Sequence, residues 1–426
     1  MDLFLKNIHI ISPLDKLDCK TNLIIKDGII DFIGNTEISN DTSNVINADD
    51  ITCVPGFFDM HVHFRDPGQV DKEDINSGTL SALNGGFTGV LLMPNTIPPI
   101  DSKKVIDYIE HKDRNSTLDV YASSCITKKR HGKELVDFKK LKRYGAVAFT
   151  DDGSVVQNPK IMNQAMEKLN NYDTVIAQHC EDFYLSSGGC MNKGEVSEKL
   201  NYRGIPNISE SSIIARDLMF IQSYRNLKYH VQHISASESV KLVTRAKKHL
   251  ENIFCEVCPH HFILTDKDCL KYGTNAKMNP PLRTENDLGS IINALKNNVI
   301  DVISSDHAPH TKFEKSMNFE QAPFGIIGLE TSIALSYTYL VEKRIISFEN
   351  MIHKMSINPR KILNLPQNFI KTGEKANLTL LKTNEKWEIN SNKFKSKGRN
   401  TPFNGFKVTC KPFAIINNNQ IYFSDL

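Results

Sequence analysis

The sequence predicts an α/β fold: a (β/α)8 TIM-type barrel with a small β-sandwich domain formed from both termini. Two observations carry this expectation. Eight apolar, β-branched segments recur through the middle of the chain, with helix-like stretches between most of them, the pattern of a parallel sheet. The polar residues of these segments gather at their C-terminal ends, which is where such barrels build their active sites.

The eight segments are residues 54–64, 89–96, 118–127, 146–153, 174–182, 228–236, 253–262 and 302–310. Between them, 102–112 places Val105, Ile106 and Ile109 on one helical face. Residues 237–249 do so with Val240, Leu242, Val243 and Ala246, and 288–296 with Ile291, Ile292 and Leu295. Short strands with Asp-Gly and Gly-Asn turns are expected at 4–11, 22–26, 28–34 and 45–47. Matching ones are expected at 377–382, 405–410, 412–416 and 420–423. The organisation read from this is 1–54 and 366–426 as the two parts of the small domain, with the barrel over 55–365. Residues 186–208 and 311–324 read as long connections, and loops of that length are often functional.

The chain has 426 residues, 40% hydrophobic and 24% charged, with a net charge of +3. That balance gives no sign of a nucleic-acid partner. The N-terminus lacks a basic region followed by an apolar core, and no uncharged apolar run approaches the ~20 residues that span a bilayer. No membrane association is therefore expected. Nine cysteines without a disulfide framework fit reduced thiols in a cytoplasm. Cys255 and Cys258 form the only tight pair and are expected to be packing residues.

The most informative stretch is His61-Val62-His63-Phe64-Arg65-Asp66-Pro67-Gly68, after the apolar run 54–60. Residues i and i+2 of a strand share a face, so two imidazoles can grip one ion. Six potential ligands end five of the segments: His61, His63, Asp152, His179, His233 and Asp306. Nitrogen and oxygen donors suit Zn²⁺, and a carboxylate can bridge two ions, so two per subunit are expected. Asp306 also suits a general acid/base, since a carboxylate at a metal site can hold and pass a proton. In Asp151-Asp152-Gly153 one aspartate can serve a turn instead. Arg65 can clamp a substrate carboxylate. Asn95 and Asn279, each beside proline, read from residue type alone as turn residues.

Taken together, these stretches resemble the cyclic amidohydrolases, specifically the dihydroorotases of the bacterial class I type. The matching motifs run in family order: residues 59–68, Met93-Pro94-Asn95-Thr96, Phe149-Thr150-Asp151-Asp152-Gly153, and His179-Cys180-Glu181-Asp182. They continue with Pro259-His260-His261-Phe262, Asn279-Pro280-Pro281-Leu282-Arg283, residues 305–310, and Ala322-Pro323-Phe324-Gly325. The resemblance implies reversible, zinc-dependent closure of N-carbamoyl-L-aspartate to dihydroorotate in de novo pyrimidine synthesis. It implies that His61, His63 and Asp306 bind one zinc, that His179 and His233 bind a second, and that Asp152 bridges them. It also implies substrate contacts by His63, Arg65, Asn95, Asn279 and His310, and by the backbone of Phe324 and Gly325. Related hydantoinases, dihydropyrimidinases and allantoinases carry a carbamylated lysine in the fourth segment, and 146–153 has none. A homodimer is expected, with aspartate transcarbamoylase as a candidate partner. The alternatives are another cyclic-amide hydrolase, of allantoinase or dihydropyrimidinase type, or a non-catalytic subunit supporting a transcarbamoylase. The polar connection 311–324, which carries Lys312, Lys315 and Gln321, is expected to cover the site when substrate binds, excluding water and adding contacts.

Overall fold

Six consecutive buried residues, Phe57–Val62, form the first strand of a parallel sheet in the computed structural model, which describes residues 1–35, 44–114 and 116–426. A strand buried on both faces is commonly a near-continuous apolar run, and this one departs from it at the buried Asp59 and His61. The barrel strands are β1 (Phe57–Val62), β2 (Phe87–Leu92), β3 (Asp119–Ser124), β4 (Ala148–Phe149), β5 (Val175–Gln178), β6 (Lys228–Val231), β7 (Ile253–Val257) and β8 (Val302–Ile303). They pair in sequence order, each parallel to the next. The β8 end returns to β1 through a parallel bridge between Val62 and His307, where the His63 amide donates to the His307 carbonyl at 2.9 Å. The eight-stranded α/β barrel expected from the sequence is thus present.

Helices alternate with these strands, and their ends follow from local chemistry. Asp74 caps Ile75–Asn84 by accepting from the Ser77 amide, and Thr284 caps Glu285–Lys296 in a reciprocal box with Asp287. Inside the barrel, Phe58, Met60, Leu91, Met93, Val175 and Val302 pack into one buried cluster. This plug makes the interior a solid floor for the site rather than a channel. Truncating Phe58 to alanine there should cost about 3–5 kcal/mol.

The terminal strands join in one continuous sheet. Its order is Gln420–Phe423, Lys407–Asn417, Leu378–Glu388, Thr52–Pro55, Leu3–Ser12, Leu17–Lys26 and Ile29–Gly34, with Val45–Asn47 pairing on Leu3–Ser12. Its core includes Leu5, Ile8, Ile10, Leu23, Leu378 and Leu380.

Three expectations need correction. Segment 54–64 is not one strand: Val54 and Pro55 pair with Thr379 and Leu378 in the terminal sheet, and the chain enters the barrel after Gly56. A side chain at Gly56 would run into Asn377 and Thr88, so only glycine fits where the two sheets meet. The other barrel segments stop short of the expected ends, so most of the polar residues stand on loops just past the strands. Residues 186–208 are not a bare connection, for they hold the helix Glu195–Lys199 and a small parallel pair of Met191–Asn192 with Gly204–Ile205. Among the described residues, no helix is long and apolar enough to cross a membrane.

Candidate active site

Beyond the C-terminal ends of the barrel strands lies a cavity of about 310 Å³. Of the twelve site residues expected from the sequence, His61 alone does not line it; that ring is fully buried. The other eleven do: His63, Arg65, Asn95, Asp152, His179, His233, Asn279, Asp306, His310, Phe324 and Gly325.

β1 aims its histidines through an irregular edge. Its register against β2 shifts between Asp59 and Val62, and such bulges re-aim side chains. The His61 and His63 rings end 5.3 Å apart. Arg65, His233 and Asp306 have φ of 60°, 31° and 46°. Non-glycine residues in that region cost of order 1–3 kcal/mol each and persist where the surroundings over-determine them. At Asp306 the determinant is visible: buried Asp59 accepts from the Ser305 amide at 3.0 and 3.2 Å.

Asp152 is the centre of the cluster. Its Oδ1 lies 3.4 Å from His61 Nε2, 3.7 Å from His233 Nε2 and 3.8 Å from His179 Nδ1. Its Oδ2 is 3.5 Å from His63 Nε2. Asp306 Oδ1 stands 3.0 Å from His63 Nε2 and 3.5 Å from His61 Nε2. Asp151 points elsewhere and accepts from the amides of Ile126 and Thr127 at 2.8 and 3.0 Å, so it holds the loop that presents Asp152.

Several features fit a bound cation. His61 Nε2 and Asp152 Oδ1 are buried without a hydrogen-bond partner, which is costly unless something else satisfies them. Burial would lower the His61 ring, yet Asp152, Asp306 and Glu256 raise it well above the ordinary range, so the surroundings demand positive charge. Three of the four such trios among the described residues lie here, with ligand atoms within 4.8 Å of one another: His61, His63 and Asp152; His61, His233 and Asp306; and Asp152, His179 and His233. The donor set is nitrogen and oxygen, as zinc accepts.

The ring orientations come partly from residues that the sequence reading did not single out. Glu256, on β7, takes His61 Nδ1 at 2.5 Å and His230 Nε2 at 3.0 Å. Burial would raise its carboxyl, but the two histidines hold it down to about 2. A carboxylate on Nδ1 fixes the tautomer that frees Nε2, the usual support behind a metal-binding histidine. Its signal was present: a lone acidic residue in the apolar run Ile253–Val257. Glu181 does the corresponding job at His179 Nε2, 3.1 Å away. Burial opposes its charge, while His179, Ser186 and Asn279 hold it at about 2.

Four of the expected substrate contacts, His63, Asn95, Asn279 and His310, are engaged within the protein. Asn95 accepts from His63 Nδ1 at 2.8 Å, and Asn279 donates to Glu181 at 2.9 Å. The Arg65 guanidinium is buried, with only long contacts, to the Pro309 carbonyl at 3.4 Å and His310 Nε2 at 3.5 Å. Burial lowers it to about 10. His310 Nε2 donates to the Phe324 carbonyl at 2.8 Å.

Connection 311–324 opens with the helix Lys312–Lys315, and its end, Pro323 and Phe324, lines the cavity, while Lys312, Lys315 and Gln321 do not. Lys315 Nζ instead donates to the Pro323 and Gly325 carbonyls at 3.0 and 3.1 Å. Lys277 Nζ donates to those of Phe319, Glu320 and Ala322 at 2.6, 3.0 and 2.6 Å. Cys255 and Cys258 are both buried free thiols. Cys255 donates to the Val299 carbonyl, and Cys258 lies 3.8 Å from the Ser304 hydroxyl.

A histidine–aspartate cluster at the mouth of a parallel α/β barrel defines a metal-dependent amidohydrolase. A family model described as Dihydro-orotase-like matches residues 51–239. A dihydroorotase of Acetivibrio thermocellus is 39% identical over 98% of this chain and 98% of its own. One of Carboxydothermus hydrogenoformans is 43% identical over 98% and 96%. The chain belongs to the dihydroorotase family. Among solved structures, L-hydantoinase from Arthrobacter aurescens superposes with a TM-score of 0.87 at 22% identity, covering 99% of this chain and 96% of that one. D-Hydantoinase from Thermus sp. gives 0.83 at 22% identity, over 99% and 95%. These two share the fold.

Proposed function

We propose that this chain interconverts N-carbamoyl-L-aspartate and (S)-dihydroorotate, the ring-closing step of de novo pyrimidine synthesis, with two zinc ions per subunit. The observation that carries the reading is a buried Arg65, with no ion pair among the described residues, in the same cavity as a cation-demanding cluster of histidines and aspartates. The substrate must offer an anion to one and a carbonyl to the other.

His61, His63 and Asp306 would hold one ion, His179 and His233 the other, with Asp152 between them. Bound there, zinc supplies Lewis acidity toward the carbonyl and lowers the pKa of water toward neutrality. Asp306 moves the proton. Burial would raise its carboxyl, but His61, His63 and His233 hold it below the usual range, so it is ionised at neutral pH. In ring closure it takes the proton of the ureido nitrogen as that nitrogen bonds to the carboxyl carbon, and passes it to the departing carboxyl oxygen, which leaves at the hydroxide level and becomes water with a proton from solvent. In hydrolysis it returns the proton to the ring nitrogen as the C–N bond breaks. Arg65 pairs with the substrate carboxylate, beside His310 and the backbone of Phe324 and Gly325, and Asn95 and Asn279 flank the ring.

Neutral hydantoins and dihydropyrimidines leave Arg65 unpaired, which argues against the sibling activities. The filled ligand set argues against a purely supporting subunit. A colorimetric assay for carbamoyl aspartate, run with dihydroorotate and with dihydrouracil, tests the reading. Equal hydrolysis of both would sink it. A cytoplasmic homodimer that binds aspartate transcarbamoylase belongs to the same proposal, and sizing the protein with and without that partner checks the assembly.

A further inference from the structure

The anion half of the cavity is braced by a stretch of chain from beyond the barrel. After Ser391–Lys393, the chain runs back across the barrel mouth before entering Lys407–Asn417. Two buried carboxylates of the barrel fasten it. Glu330 accepts from the amides of Lys395 and Ser396 at 2.8 and 3.2 Å, and also from Ser81 and Asn84. Glu73 accepts from the Ser396 hydroxyl at 2.5 Å and the Lys397 amide at 3.2 Å.

The tip of this arm is Asn400, 3% exposed. Its Nδ2 donates to the carbonyls of Ala308 and Gly325 at 2.9 and 3.0 Å. Its Oδ1 accepts from the His310 amide at 3.1 Å, and its backbone carbonyl accepts from the Ile327 amide at 3.0 Å. One side chain therefore ties the loop after β8 to the Phe324–Gly325 segment and uses both amide hydrogens and the oxygen to do so. Gly398 makes room for it: a side chain there would come within 2.9 Å of Asn400 Oδ1 and Ile327, and within 3.0 Å of Pro309.

We infer that Asn400 is a positioning residue for substrate binding, which sets the spacing between His310 and the Phe324–Gly325 backbone and so the width of the carboxylate end of the cavity. The inference rests on the proposed dihydroorotase reading for the identity of the ligand. Among the described residues Asn400 makes its hydrogen bonds to Ala308, His310, Gly325 and Ile327, none a proposed metal ligand, and Asp306 is held separately by Asp59 through Ser305. Its loss should therefore weaken binding far more than the chemical step.

The test uses zinc-loaded full-length protein carrying Asn400→Ala, with isosteric Asn400→Asp as the second variant. The aspartate keeps an acceptor for the His310 amide but turns an oxygen toward two carbonyls. Steady-state kinetics with dihydroorotate, zinc content and amide hydrogen exchange over residues 305–327 are measured together. The expected result is a KM raised at least tenfold in both variants, kcat within about threefold, unchanged zinc, and faster exchange across 305–327. A KM within twofold of wild type, or a kcat that falls as much as KM rises, overturns the inference. Wild type is assayed first. Failure of the wild type to turn over dihydroorotate defeats the functional reading, and the exchange measurement then judges the clamp alone, with unchanged protection refuting it.

Discussion

The two ends of the cavity are held in different ways. At the proposed metal end, the candidate ligands stand on or just past barrel strands, and their rings are backed by barrel residues: Glu256 behind His61, Asn95 behind His63, and Glu181 behind His179. At the proposed carboxylate end, Gly325 donates its amide to the Lys277 carbonyl and accepts from Lys315 Nζ, Lys277 Nζ holds the Ala322 carbonyl, and Asn400 arrives from the C-terminal region. In the proposed reading, chemistry that tolerates little displacement sits on the rigid frame, and selectivity is set by connections laid over it. The comparison implies that damage at one end should show in rate and metal content, and at the other in affinity and choice of substrate.

The largest expected effect tests the metal end. Asp306→Asn should keep its thermal transition and lose roughly 10²–10⁴ in kcat, since general acid/base groups contribute that much. Near-normal turnover would mean that another group moves the proton. Chelation of the wild type should abolish activity and Zn²⁺ should restore it.

Next comes Arg65→Met. It should weaken transition-state binding of dihydroorotate by about 2–4 kcal/mol, read as kcat/KM, while zinc content stays unchanged. Loss of zinc in this variant would collapse the distinction between the two ends. Glu256→Gln should act through the other end. It keeps an acceptor for His61 but not the charge, and should lower zinc affinity about 10–100-fold in a competitive chelator titration.

The smallest effect is on stability. Burial, with Lys277 nearby, lowers Lys315 from its ordinary 10.5 to about 7. Between those values the unfolded chain binds a proton that the folded chain does not, so this residue makes stability rise with pH from about 7 to 10.5 and adds no slope below. Lys315→Met should remove that slope. Parallel denaturation curves for the two proteins across the window would show that the burial of Lys315 has no such linkage.

How much was legible follows the same division. His61, His63, Asp152, His179, His233 and Asp306 are polar residues that end apolar runs, a local pattern visible in one dimension. The strand ends were overestimated because apolar residues continue into the loops, as at Pro259–Ile263, which turns helical straight after Cys258. Glu256 was visible as a misplaced charge but carried no recognised spacing. Asn400 could not be found this way. It lies in a run of Gly, Arg, Asn, Thr and Pro without periodicity, and its partner Ala308 is 92 residues away. Contacts of that kind are created by the fold and leave no mark on the local sequence.

The short strand Thr52–Pro55 has a further consequence during synthesis. It is sandwiched between Leu3–Ser12 on one side and Leu378–Glu388 on the other. A ribosome delivers the first neighbour early and the second only after the whole barrel has emerged. Throughout that interval the growing chain carries a bare strand edge, a template for pairing with other chains. Polypeptides released before Leu378–Glu388 is made keep that edge for good. Such truncated products should accumulate as aggregates even where their barrels have folded.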